Sequence, residues 1–464
     1  MKNTIIVLLS ALFLVSCQST PKKDYILLSG TISGASEKEF RLYKRKSGAD
    51  LTIVKLAEDG TFSSDTITTG TGYYAFGDGG RNSAELYLIN GGEYNLTAIV
   101  EKFRNTAKLT GPNSDASNYL LSKKDNMDKL RGSHSEFYSL NESDFIAKQK
   151  MLHKGHVNYL DSFPNIPKEF VERERKELYY YNLLNLTYYE DFHRRYTKQS
   201  DFKVSADFVK QFEGVDFHNE ELYKLIGSYR RLVLKHYEKK AESAAEISVA
   251  AGKERYFDVL KVYGAIPNDH IKNDILMSAA PYHIGYTDNI DEYYNAYMAV
   301  STSEENNEIM TKKYKGLKRL SAGATSPIFE NYVNHAGGTT SLSDFKGKYI
   351  YIDIWATWCG PCLQEVPFLQ EVEKKYHGKN LEFVSISIDS KEKRDAWRKM
   401  VTDEGFSGVQ LIADKDFNSD FIAAYEINSI PRFIIIDPEG KIVSSNATRP
   451  SDPDLIVLLD ELNI

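Results

Sequence analysis

Beyond the first two dozen residues, apolar and polar positions alternate with a period of two. Residues 25–33, 40–44, 51–56, 73–76, 84–89 and 94–99 are short runs of this kind, punctuated by Gly, Asp and Asn. They predict an all-β domain over residues 25–112. Tyr94, Leu96 and Ala98 interleave with Asn95 and Thr97, and Asn90-Gly91-Gly92 before them supplies the positive φ angles of a tight hairpin. Asp59-Gly60 after Leu56 predicts a second such turn. From residue 113 to residue 320 the period lengthens and the chain reads as a central α-helical region. Leu222, Leu225, Ile226, Tyr229 and Val233 fall at i, i+3, i+4, i+7 and i+11, the stripe of one amphipathic helix, and residues 172–196 read similarly. Ser321-Ala322-Gly323-Ala324-Thr325-Ser326-Pro327 is a small-residue linker. Over residues 325–464 strands alternate with helices. Residues 349–355, 381–389, 409–413 and 432–436 are β runs; residues 363–376, 391–404 and 416–425 have helical spacing.

The chain has 464 residues, well above the roughly 100–200 of a typical domain, which fits a multidomain protein. A hydrophobic share of 42% and a charged share of 27% are globular values. The 58 Lys and Arg against 65 Asp and Glu leave a net charge of −7, without the basic excess that binding to nucleic acid requires. The three cysteines are too few for a multi-bridge scaffold.

Each cysteine has a separate setting. After Met1 and Lys2, residues 5–15 are apolar apart from Ser10, about the length of a signal-peptide core and short for a membrane span. The run closes with Leu14-Val15-Ser16-Cys17, which resembles the lipobox of bacterial lipoproteins. That resemblance implies a signal peptide over residues 1–16, lipidation of Cys17, a tether over residues 17–24 and a periplasm-facing protein held to the bacterial cell envelope by a lipid anchor. It leaves open which membrane holds the lipid. The alternative is an ordinary secreted protein with a stray Cys17.

The central region offers less chemistry. Tyr179, Tyr180, Tyr181, Tyr188 and Tyr189 are suited either to a peptide-binding surface or, as we expect, to packing between helices. His153 and His156 share a helix face but have no third ligand nearby, so we expect a solvated face and no metal site.

Cys359 and Cys362 carry the strongest signal. The β run of residues 349–355 delivers Trp358-Cys359-Gly360-Pro361-Cys362 to the start of a helix. Unpaired amides and the positive end of the helix dipole stabilise a thiolate there, the attacking species in disulfide exchange. Pro361 is tolerated in a first turn because its missing N–H has no helical partner.

This segment matches the thioredoxin active-site motif residue for residue. Asp353 stands in the place of the family's buried acid, Pro367 in that of the proline within the active-site helix, and Ile430-Pro431 in that of its cis-proline. The extra strand and helix between Cys362 and Pro431, with residues 342–348 before the first central strand, resemble the TlpA-type thiol-disulfide oxidoreductases. The β-rich region resembles a domain of unknown function that precedes the redox domain of envelope lipoproteins. The resemblance covers residues 325–464 and implies a thioredoxin-like α/β fold, a central mixed sheet flanked by helices. It further implies a redox disulfide between Cys359 and Cys362, with Cys359 attacking, Cys362 resolving and Asp353 relaying the proton of Cys362. Trp358, Gly360, Pro361, Ile430 and Pro431 would meet the substrate, Trp358 covering one side of the pair. Ile430 departs from the usual Thr. No cofactor beyond the cysteine pair is expected. The implied partners are protein disulfides and an inner-membrane thiol electron donor.

Other uses of the pair fit less well. A haem-attachment site needs His where Leu363 stands, and a structural zinc site needs a second ligand pair. A thiol peroxidase would carry Thr or Ser and Pro where Ala356 and Ile352 stand. A binding or docking lipoprotein with an incidental redox domain is the competing class. The expected function is an envelope-anchored reductase of periplasmic protein disulfides.

Overall fold

The computed structural model describes residues 23–35, 38–44, 50–79, 82–287, 289–462 and 464. The expected signal peptide and Cys17 lie outside them. The chain forms two compact units, Met1–Lys235 and His236–Ile464.

In the first unit the alternating runs form β1 (Leu27–Ser33), β2 (Glu39–Lys44), β3 (Asp50–Lys55), β4 (Thr61–Ser63), β5 (Gly72–Gly77), β6 (Ser83–Leu88), β7 (Glu93–Ile99) and β8 (Lys108–Thr110). They build two four-stranded sheets, ordered β4-β1-β7-β8 and β3-β2-β5-β6. Period two puts one face of every strand inward, as in β7, where Tyr94, Leu96 and Ala98 are buried between exposed neighbours. Leu28, Phe40, Phe76, Leu86 and Leu96, from both sheets, share one core.

The expected hairpin at Asn90-Gly91-Gly92 is a crossover instead. Gly91 does take a positive φ of 83°. However, β6 pairs with β5 while β7 runs parallel to β1 in the other sheet. Asp59-Gly60 likewise turns the chain, with Gly60 N–H donating to Ala57 O at 2.8 Å, but delivers β4 to β1 and not to β3. A local turn signal sets the bend and leaves the partner strand undecided.

The longer helices of this unit are α1 (Ser114–Arg131), α2 (Glu142–Asp161), α3 (Lys168–Thr187), α4 (Tyr189–Thr197) and the start of α5 (Gly227–Ala250). The stripe from Leu222 to Val233 is broken. A short helix ends at Leu225, Ile226 turns extended at φ −111° and ψ 108°, and α5 begins at Gly227. Ile226, Tyr229 and Val233 are buried, whereas Leu225 is 40% exposed, since the break rotates it off the stripe. Residues 172–196 likewise divide at Tyr188 between α3 and α4.

The tyrosines mainly pack. Tyr189 stacks on Phe145 with ring centroids 4.2 Å apart, and Tyr180 meets Tyr229 edge-on at 4.8 Å. The histidine face of α2 is covered, contrary to the expectation of a solvated one. His156 is buried and lies 6.2 Å from the Tyr181 ring of α3. Burial, then the positive charge of neighbouring groups, pulls His156 down to about 4, so it is neutral in the folded state near pH 7.

The second unit holds the remainder of α5, then α6 (Tyr256–Gly264), α7 (Asp269–His283), α8 (Ile290–Val300) and α9 (Glu304–Lys318). Next come β9 (Tyr332–Asn334), β10 (Thr339–Thr340), β11 (Tyr349–Trp355), α10 (Gly360–Lys375), β12 (Leu381–Ser387), α11 (Arg394–Asp403), β13 (Val409–Ile412), β14 (Arg432–Ile436), β15 (Ile442–Ser444) and α12 (Asp454–Glu461). The sheet order is β10-β9-β13-β12-β11-β14-β15. β11, β12 and β13 are mutually parallel and the other pairs antiparallel, giving the expected mixed sheet. The small-residue segment after Leu320 lies along this sheet's edge: Gly323 N–H donates to Ile442 O at 2.7 Å and Ser326 N–H to Gly440 O at 3.0 Å. Among the described residues no helix is long and apolar enough to cross a membrane.

Candidate active site

β11 lies between β12 and β14, and every residue after Tyr349 in it is buried. It explains the near-continuous apolar run, as expected of a strand covered on both faces. At its end Ile388 N–H donates to Trp355 O at 2.9 Å. The turn that follows is held by a residue the sequence reading missed. Asp389 accepts from the Thr357 N–H at 2.8 Å, the Thr357 hydroxyl at 2.7 Å and the Ser387 hydroxyl at 2.8 Å. An acid at the end of an apolar strand was its only signal.

The turn leads into α10, with Cys359 as N-cap. Its backbone is extended (φ −88°, ψ 93°), and its Sγ accepts the Cys362 N–H at 3.2 Å. An orphan amide of the first turn therefore points at the sulfur, where it favours negative charge. Cys359 and Cys362 form a disulfide with Cα atoms 5.3 Å apart, so the structure is that of the oxidised form. Both residues are buried. Burial does not distinguish them; the Cys362 N–H is directed at the Cys359 sulfur. Pro361 sits in the first turn as expected, and Pro367 lies inside α10.

The second wall comes from β14. Ile354 of β11 pairs with Arg432, so antiparallel register sets the residue pair Ile430-Pro431 beside the end of β11, with its peptide bond cis. Ile430 is half-buried and packs on the core that contains both cysteines. Gly360 and Pro361 are exposed. Trp358 is 60% exposed, its ring 6.5 Å from Phe417, and forms part of the outer rim. The residues expected around the cysteine pair thus gather at one end of the central strands β11 and β14.

Asp353 lies within β11, opposite Ser385 of β12. Burial, followed by repulsion from Glu365 and Glu373, lifts its carboxyl to about 8 against a hydrogen bond from Ser385 that pulls it down. Glu365 and Glu373, both on α10, were not singled out from the sequence. Glu365 occupies the buried stripe with Cys362, Leu369 and Val372, and accepts the Ser451 N–H and hydroxyl, each at 2.9 Å. Its legible signal was an acid at an apolar position of a helix. Glu373 is raised to about 7, chiefly by burial and then by Glu382.

A model of the Redoxin family matches residues 321–455. The thiol-disulfide oxidoreductase ResA of Bacillus subtilis is 29% identical over 130 residues, which is 28% of this chain and 69% of that protein. The thioredoxin-like protein YneN, also of Bacillus subtilis, is 34% identical over 133 residues, covering 28% of this chain and 73% of YneN. The chain belongs to the thioredoxin-superfamily thiol-disulfide oxidoreductases. A solved thioredoxin domain of a thiol-disulfide oxidoreductase from Bacteroides vulgatus is 30% identical, covers 31% of this chain and 98% of that one, and has a TM-score of 0.28. Family membership is carried by under a third of the chain. In this oxidoreductase the cysteine pair follows the end of β11 and the cis-proline precedes the strand paired with it, while Asp353 lies within β11 six residues before Cys359. Among the described residues no group of three or more His, Cys, Asp or Glu is placed to hold a metal ion.

Proposed function

We propose that the protein is a reductase of protein disulfides, lipid-anchored through Cys17 in the bacterial cell envelope and facing the periplasm. The observation that carries the redox reading is the cysteine pair at the start of α10, with an amide donated to Cys359 Sγ at 3.2 Å and the Ile430-Pro431 edge beside it. The Cys17 anchor rests on the Leu14-Val15-Ser16-Cys17 motif.

Reduction proceeds by two exchanges. The Cys359 thiolate attacks a substrate disulfide; that S–S bond breaks, one substrate sulfur leaves and takes up a proton, and a mixed disulfide forms on Cys359. Cys362 gives its proton to the Asp353 carboxylate and attacks Cys359 Sγ. The mixed disulfide breaks, the second substrate sulfur leaves as a thiol, and the Cys359–Cys362 bond closes. Two electrons pass to the substrate. The Gly360-Pro361 spacer supports the reducing direction, because thioredoxin lies near about −270 mV and the strong oxidant DsbA near about −120 mV. Return to the dithiol then requires a thiol electron donor, which we place in the inner membrane by likeness to TlpA-type proteins.

Insulin reduction with dithiothreitol by the full chain tests this reading. Cys359→Ser should lower the rate at least ~100-fold, since no second thiolate occupies the N-cap. Full activity in that variant would sink the mechanism. Cys362→Ser should arrest at the mixed disulfide, giving slow bands on non-reducing gels that collapse with dithiothreitol. Equal trapping by Cys359→Ser would reverse the assignment of attacking and resolving thiols.

A further inference from the structure

Arg432, the residue after Pro431, is an unusual side chain for its position. It is 5% exposed, and its Nε has no hydrogen-bond partner. Among the described residues no carboxylate forms an ion pair with it. A buried guanidinium in this state is costly where an apolar side chain would fill the space cheaply. What surrounds it is the turn after α7. The guanidinium lies 4.6 Å from the centre of the Tyr286 ring, a cation–π distance, and Nη1 donates to Gly285 O at 3.3 Å. Tyr282 packs against Tyr286 with ring centroids 4.5 Å apart.

Tyr286 also reaches the other side of the cis-proline. Its hydroxyl is 2.8 Å from the Ser429 hydroxyl, so one tyrosine holds both residues that flank Ile430-Pro431. The same loop is fastened at its start by α9. Lys313 Nζ lies 2.7 Å from the Glu426 carboxylate and 3.3 Å from its carbonyl oxygen, and Glu426 itself has a positive φ of 52°. A Cβ at Gly316 of α9 would meet the Glu426 carboxylate where it now lies, so the carboxylate would have to shift. Attachments from α9 and from the turn after α7 therefore hold the stretch from Glu426 to Arg432, which carries the proposed substrate edge.

We propose that Tyr286 and Arg432 are positioning residues for disulfide exchange: they hold the Ile430-Pro431 edge in the orientation that accepts an extended polypeptide, and so favour polypeptide disulfides over small ones. The kinetic part rests on the reductase reading above; the structural clamp does not. A small disulfide reaches Cys359 without lying along that edge, whereas a polypeptide must align with it.

The test uses the full chain in detergent with Tyr286→Phe, Ser429→Ala, the double variant and Arg432→Met. Amide hydrogen exchange over residues 426–432 reads the clamp, and reduction of insulin against 5,5′-dithiobis(2-nitrobenzoate) reads its consequence. Each single variant at Tyr286 or Ser429 should speed exchange in this segment and raise the insulin KM about fivefold, the effect of one neutral hydrogen bond. Turnover of the small disulfide should change by less than about twofold. The double variant should match the singles, because both remove the same bond. Arg432→Met should have the larger effect in the same direction, and Arg432→Lys should restore part of it. Unchanged exchange in all variants would overturn the proposal, as would faster exchange with an unchanged insulin KM. Equal losses on both disulfides would assign these residues to general stability instead. If the wild-type chain left insulin intact, the reductase reading would fail by itself. The clamp would then be decided by hydrogen exchange and by how fast a cysteine peptide, against dithiothreitol, opens the oxidised pair.

Discussion

Two buried carboxylates, one in each compact unit, have opposite surroundings. Glu174 of α3 is 3% exposed, is ion-paired with Lys123 of α1 and accepts the Tyr119 hydroxyl at 2.9 Å. Asp353 of β11 is 8% exposed, and its charged neighbours are Glu365 and Glu373, of its own sign. Burial pushes both carboxyls up, but Lys123 and Tyr119 oppose it at Glu174, whereas at Asp353 like charge adds to it. A buried acid with a fixed cation serves packing. The same group facing other acids keeps its proton to about pH 8, which suits the proton transfer we propose for it.

The largest expected departure comes from Asp353→Asn. Because its carboxyl is raised in the folded state, the folded chain holds a proton that the unfolded chain releases above about pH 4. The contribution of this group to stability therefore falls between about pH 4 and about pH 8 and then levels. The variant has no such loss, so urea melts should show it more stable at pH 9 by up to about 5 kcal/mol and equal to wild type at pH 3. Its turnover should nonetheless slow above neutral pH, since the group we propose as acceptor for the Cys362 proton is gone. An unchanged pH–rate profile would remove Asp353 from the mechanism.

Glu174→Ala should do the reverse in kind. It strands the Lys123 ammonium and the Tyr119 hydroxyl, and should cost about 3 kcal/mol in urea melts while leaving insulin turnover unchanged below the melting range. A loss of turnover in the folded variant would erase the contrast between the two sites. Glu373→Gln gives the smallest effect. Removing one like charge should lower the midpoint of the pH–rate profile from near 8 by about half a pH unit. No shift would leave burial and Glu365 as the agents that raise Asp353.

Much of the dithiol site was legible because its signals are local. Trp358-Cys359-Gly360-Pro361-Cys362, the apolar run before it and the helical spacing after it are properties of adjacent residues, and covalent spacing brings the two sulfurs together. Asp353 could be placed through the motif it precedes. Glu365, Glu373 and Asp389 were not legible. Whether an acid is solvated or buried beside another acid depends on what packs over it, and the helix stripe of α10 is read from apolar residues. The histidines of α2 failed for the same reason, since their cover comes from α3.

The sequence by itself determined the order of β-rich, helical and α/β regions and the place of the cysteine pair at a strand-to-helix turn, because period, turn residues and motif spacing act over a few residues. Tertiary structure alone decided strand partnership and surroundings. The turn at Asn90-Gly91-Gly92 could join neighbours in one sheet or cross to another, and only the shared core of the two sheets selects the crossover. The Leu222–Val233 stripe could continue or break, and the break at Ile226 is seen only once the packed helices are in place. Arg432 reads in the sequence as an ordinary strand cation. Register against Ile354 and the cover of Tyr286 remove it from water, because burial and ring contact are made by residues far away in the chain.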